Sequence, residues 1–121
     1  MSVFAWIGVA ALGAAGALLR FALDGSVGAR AGRDLPFGTF AVNISGSFAL
    51  GLLAGVSLSG DALVLAGTAT LGSFTTFSTW LFETQRLVED GEAGGALANI
   101  VVSLGAGLGA IALGRLVGGA F

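Results

Sequence analysis

The sequence predicts an all-α integral membrane protein, one domain over residues 1–121 made of four transmembrane helices with a break in the third. Three observations lead to that class. Hydrophobic residues make up 55% of the chain and charged residues 10%, where a water-soluble domain carries roughly 25% charged; mean hydropathy is +0.97. The few charges cluster, leaving uncharged stretches at Met1 to Leu19, Leu35 to Gly60, Ala62 to Phe82 and Ala93 to Gly114. Each is long enough to span a bilayer, which takes about 20 residues. The third stretch carries Gly, hydroxyl and aromatic residues at its centre where a plain span carries Leu and Ile.

The first span is expected over 3–23. Its first Arg is Arg20, at its far end, so the stretch lacks the leading positive charge of a signal peptide and is read as a permanent helix. A polar connection, Asp24 to Leu35, follows. Pro36 stands where a helix begins without losing a needed backbone donor, which starts the second span, 37–58. Along it Thr39, Asn43, Ser47, Gly51 and Gly55 recur in steps of four, one small and polar stripe among Leu and Phe. The turn at Ser59-Gly60-Asp61 is short enough to make the third span, 62–86, an antiparallel neighbour of the second. Its middle reads Gly72-Ser73-Phe74-Thr75-Thr76-Phe77-Ser78-Thr79-Trp80, poor helix formers that predict an opening near Gly72 to Thr75. Residues Glu83 to Glu92 return the chain to water, and the fourth span, 94–116, carries Asn99, Ser103 and Gly107 in steps of four before Arg115.

Composition also excludes function classes. With no Cys and no His, disulfides, thiol catalysis and the usual transition-metal and general-base ligands are absent, so an enzyme is not expected. No basic run tracks a phosphate backbone, and nucleic acid is not an expected partner. No GxxxxGK[ST] motif signals ATP, and no Asp or Glu lies within the uncharged stretches as a proton relay. Passive flow is the simpler mechanism. Four helices enclose little space, so a solute path calls for a second copy or a partner chain.

Several residues are candidates for chemistry. Asn43 is an amide well inside a span, where it serves either an interhelical hydrogen bond or a wet cavity. Phe77 and Trp80 share a face with the Ser78 and Thr79 hydroxyls beside them, which either form a pore wall or bond back to the preceding turn. Arg20 and Glu83 lie at span ends, as snorkelling side chains or as a charged vestibule. A helix opened near Gly72 to Thr75 frees carbonyl oxygens, which inside a membrane must be buried in protein, wetted or bound to a cation. The glycine pairs 51/55, 105/109 and 114/118 are spaced as GxxxG and support close helix packing, within one subunit or between two.

Val42-Asn43-Ile44-Ser45-Gly46-Ser47-Phe48, the Gly72 to Trp80 run and Glu83 together closely resemble the Fluc (CrcB) family of fluoride channels, and the resemblance extends over the whole chain. It implies a fluoride-selective channel that exports cytoplasmic fluoride passively, a multi-pass protein of the inner (plasma) membrane. It further implies an antiparallel, dual-topology dimer with two fluoride paths at the subunit interface and a structural sodium ion at its centre. By matching motif positions, Asn43, Phe77, Ser78, Thr79, Trp80 and Ser103 are implied to line the fluoride pore, and Arg20 and Glu83 the vestibules. Gly72 and Thr75 are implied to offer backbone carbonyls to sodium. Two positions depart from the family pattern. Trp80 stands where many relatives have a second pore Phe, and Asn99 where a Tyr is often found.

These residue types suit the ion. Fluoride is small and strongly hydrated, so a narrow path must replace its water with close donors, which hydroxyls and an amide supply. A phenyl ring presents a positive edge to an anion, and a nearby cation raises the local potential. Counting Arg20, Arg30, Arg33 and Arg86 on one side against Arg115 on the other favours the first side as cytoplasmic. That bias leaves open a homodimer or a heterodimer with an oppositely oriented paralogue. The rival readings are a small multidrug transporter, which needs a membrane-embedded carboxylate missing from helix one, and an accessory subunit whose polar stripe only fixes packing.

Overall fold

The computed structural model describes Met1–Phe121, and every regular element in it is helical. Helix α1, Val3–Ala31, starts at Ser2, whose Oγ accepts from the Ala5 N–H at 3.1 Å. Ser2→Ala is expected to fray this first turn, a local loss of about 1 kcal/mol, read as faster hydrogen exchange at Ala5. The helix does not stop near Leu23. It runs through the expected connection to Ala31, because Asp24 to Ala31 contains no Pro and Ala29, Arg30 and Ala31 propagate a helix well. The stop is Gly32, whose φ of 81° only glycine adopts without strain and whose N–H bonds the Gly28 carbonyl at 3.0 Å. Arg30 in the last turn meets the negative end of the helix dipole.

Helix α2, Phe37–Gly55, begins directly after Pro36. It ends short of 58 because Ser57 turns to a φ of 58° and the Leu58 N–H reaches back to the Leu53 carbonyl at 3.1 Å, closing the reversal. The next segment is made of pieces. Helix α3, Gly60–Leu63, passes into a π-helical stretch, Val64–Leu71, and a final turn, α4, Gly72–Phe74. Thr75 is extended, with ψ 160°, and α5, Ser78–Glu89, resumes beyond Phe77. Gly91, at φ 78°, then leads to α6, Ala93–Gly119.

Helices α1, α2 and α6 are each long and apolar enough to cross a membrane. Their large apolar side chains, among them Phe4, Phe21, Leu108 and Leu116, point outward, as they must where the solvent is lipid. Helices α2 and α6 make the closest pair. A Cβ on Gly51 would strike the Ile111 carbonyl, and one on Gly114 the Phe48 carbonyl, while Gly55 and Gly118 approach each other's helices in the same way. Two of the GxxxG pairs thus pack within the subunit, whereas Gly105 and Gly109 meet nothing. Helix α1 covers the π-helical stretch and α4, with Gly16 tight against Thr70 and Ser73, and α5 lies on α6.

Candidate functional site

The polar stripe of α2 holds the interrupted segment in place. The Asn43 side chain faces Thr76 in the interruption and forms two hydrogen bonds with its backbone: Nδ2–H donates to the Thr76 carbonyl and Oδ1 accepts the Thr76 N–H, both at 2.8 Å. One turn earlier on the same face, the Thr39 hydroxyl donates to Glu83 Oε1 at 2.5 Å. Two side chains of α2 therefore pin both the interruption and α5. Such bonds are needed because no water is available inside a bilayer to satisfy an opened helix.

The interruption redirects its own donors. In a continuous helix the Thr76 N–H would reach Gly72 and the Thr79 N–H would reach Thr75. Here Thr76 N–H turns to Asn43, and Thr79 N–H donates to the Thr76 hydroxyl at 3.2 Å. The carbonyls of Gly72 and Thr75 are thereby released from the helical pattern. Oxygen donors of this kind suit a hard cation such as sodium, and no cluster of His, Cys, Asp or Glu offers another metal site. The donor set at Gly72 and Thr75 fits the expected ion.

An open cavity of about 570 Å³ lies beside this segment, and Asn43, Gly72, Thr75, Phe77, Trp80 and Ser103 all line it. Phe77 and Trp80 stack with ring centroids 5.5 Å apart at 57°, an inclined pairing that favours edge contacts. A second cavity, about 190 Å³, is lined by Arg20, Asp24, Thr39 and Thr79. Thr76 borders both cavities. Glu83 also faces an outer, polar cavity of about 370 Å³ with Arg33 and Arg86. Ser78 borders none of these three; it lies exposed on the first turn of α5.

Sequence reasoning passed over two residues of this site. Thr39 was legible as the first member of the step-of-four stripe, although nothing pointed to Glu83 as its partner. Thr76 offered no signal beyond its motif, because its part is played by its backbone and by the cap its hydroxyl provides.

Comparison with known proteins bears on this arrangement. The family model described as "CrcB-like protein, Camphor Resistance (CrcB)" matches residues 7–115. The chain is 52% identical over 117 residues to a protein named fluoride-specific ion channel FluC 2 from Mycobacterium bovis, covering 97% of this chain and 93% of the relative. It is 41% identical over 119 residues to fluoride-specific ion channel FluC 1 of Symbiobacterium thermophilum, covering 93% and 96%. It is 46% identical over 101 residues to fluoride-specific ion channel FluC of Syntrophotalea carbinolica, covering 79% and 82%.

Proposed function

This chain belongs to the CrcB family, and from that membership we propose that it is a fluoride-selective channel subunit, not an enzyme, that lets fluoride leave the cytoplasm passively. The observation that carries the reading is the Asn43–Thr76 clamp. It holds an opened helix so that a phenyl edge, hydroxyls and an amide border one cavity, and the names of the relatives support fluoride as the ion that uses it.

The ion's path begins at the vestibule of Arg20, Thr39 and Thr79, where the guanidinium attracts an anion and the Thr79 hydroxyl begins to replace its water, the Thr39 proton being held by Glu83. Thr76 separates this space from the larger cavity. There the Phe77 edge and the Ser103 hydroxyl take over, together with the one Asn43 N–H not spent on Thr76. Ser78, on the exposed face of α5, reaches fluoride only across a subunit interface. Sodium, held by the Gly72 and Thr75 carbonyls, would supply a fixed positive charge at the dimer centre. The open side of the cavity supports pairing with a second subunit, which the resemblance to the family implies is inserted oppositely in the plasma membrane. That partner is a second copy, or a paralogue if the Arg bias fixes this chain's orientation.

Fluoride efflux from proteoliposomes containing the purified protein alone, beside a chloride control, tests the proposal. The expected result is fast fluoride efflux with chloride retained, and a drop of at least about tenfold in Phe77→Ile, since an aliphatic side chain has no positive edge. Equal release of both anions refutes fluoride selectivity. Absence of efflux from well-inserted protein refutes the self-sufficient homodimer, and restoration by an added paralogue identifies the heterodimer.

A further inference from the structure

Trp80 and Asn99 meet in space. The Trp80 indole Nε1–H donates to the Asn99 backbone carbonyl at 3.4 Å, and the Ser103 hydroxyl donates to Asn99 Oδ1 at the same distance. Asn99 itself is held much more firmly. Its Nδ2–H donates to Thr84 Oγ1 at 2.8 Å, and the buried Thr84 hydroxyl donates in turn to the Trp80 carbonyl at 2.8 Å. Bonds of 2.8 Å are near the optimum for these groups, whereas 3.4 Å lies at the weak edge of the range.

Placement sharpens this contrast. Trp80 and Ser103 border the 570 Å³ cavity and Asn99 does not; Asn99 borders a smaller apolar cavity of about 220 Å³, which Ser103 borders as well. One residue behind the wall thus accepts, in long bonds, from two donors that stand in the wall. Thr84 takes one N–H of this amide and gives its own proton to Trp80, so Asn99 Oδ1 is left as the acceptor that Ser103 meets.

We propose that Asn99 is a positioning residue that holds the Trp80 indole N–H and the Ser103 hydroxyl in loose bonds from which a passing small anion withdraws them. The inference rests on the fluoride-channel reading of the same cavity. It makes Trp80 a source of a true N–H donor where a phenyl ring offers only C–H edges. The ion's arrival exchanges one weak acceptor for a charged one, to which hydrogen bonds are about twice as strong. The firm Thr84 anchor returns the wall to its resting arrangement afterwards.

The test uses the full-length protein carrying Trp6→Phe, which leaves Trp80 as the sole indole. Asn99→Leu keeps the backbone carbonyl that the indole meets but cuts the Thr84 tie that holds α6 against α5 and removes the acceptor of Ser103; it is expected to loosen the indole, red-shift Trp80 emission, increase its quenching by acrylamide, and lower fluoride efflux about tenfold. In a Ser103→Ala background the same change is expected to cost clearly less than it does alone, because the Ser103 share of the loss is already taken and only the Trp80 share remains. Thr84→Val cuts the anchor from the α5 side and is expected to repeat the optical change, which guards against poor assembly of Asn99→Leu. Independent, multiplying losses in the two backgrounds, or unmoved Trp80 emission in both anchor variants, overturn the proposal. Were the wild-type protein to conduct no fluoride, the channel reading would fail, while the Trp80 signal would still decide whether Asn99 positions that ring.

Discussion

Asn43→Leu is expected to lower fluoride efflux by at least about a hundredfold and to destabilise the protein by a few kcal/mol, because one substitution strips two bonds from the opened helix. Leucine matches asparagine closely in size but neither donates nor accepts. The Thr76 N–H and carbonyl, each now bonded to Asn43 at 2.8 Å, would be left unpaired in the membrane. Each such group costs about 1–3 kcal/mol where it is buried, and the surrounding hydrocarbon offers no partner in place of Asn43. The segment then either resumes a continuous helix, which moves Phe77 and recaptures the Gly72 carbonyl, or loses order. Asn43→Asp keeps the acceptor for the Thr76 N–H and loses the donor, so an intermediate loss is expected. Efflux and denaturation in detergent, measured on the same preparations, check both effects. Ordinary flux through Asn43→Leu would show that the clamp is not what keeps the path open.

The second large effect is expected from the smallest possible change, Gly51→Ala or Gly114→Ala. The added Cβ in each case meets a backbone carbonyl on the facing helix, Ile111 from Gly51 and Phe48 from Gly114. A side chain in the way could rotate aside, but a helix backbone can yield only by moving the whole helix. Separating α2 from α6 forfeits dispersion along their shared length, the main attraction available between helices in lipid. A loss of about 1–3 kcal/mol per substitution is expected, read as earlier unfolding in a denaturing-detergent titration. Gly105→Ala on the same helix α6 is the contrast, since nothing lies near it. It is expected to hold stability or to raise it by about 0.5–1 kcal/mol, as Ala does in a helix interior. Equal losses at Gly105 and Gly51 would contradict the packing.

These two sites show why the spacing of residues was only partly informative. Gly51/Gly55, Gly105/Gly109 and Gly114/Gly118 carry the same GxxxG pattern, yet two pairs close the α2–α6 contact and one faces open space. The pattern states that a backbone can approach; which backbone does so depends on where the helices lie. Asn43 was recognisable as costly in its place, and both readings of it, a bond or a cavity wall, meet in one residue. That its partner is the backbone of Thr76 was invisible, because a backbone group carries no residue-type signature. The continuation of α1 to Ala31 was missed for a related reason: polar residues past the membrane were read as a loop, although nothing in Asp24 to Ala31 stops a helix.

The sequence by itself determined the class of this protein: uncharged stretches long enough to span, separated by clustered charges, leave few places for the chain but a bilayer, since hydrophobic transfer depends on composition more than on arrangement. It also marked the centre of the third stretch as rich in poor helix formers, but the opening expected near Gly72 to Thr75 falls at Thr75 to Phe77, with Gly72–Phe74 still a helical turn. The tertiary structure alone decided which groups answer one another across helices: Asn43 with Thr76, Thr39 with Glu83, Asn99 with Trp80 and Thr84. Such pairs lie as many as 44 residues apart, and only the close approach of α2 and α6, with α5 against them, brings their hydrogen bonds within reach.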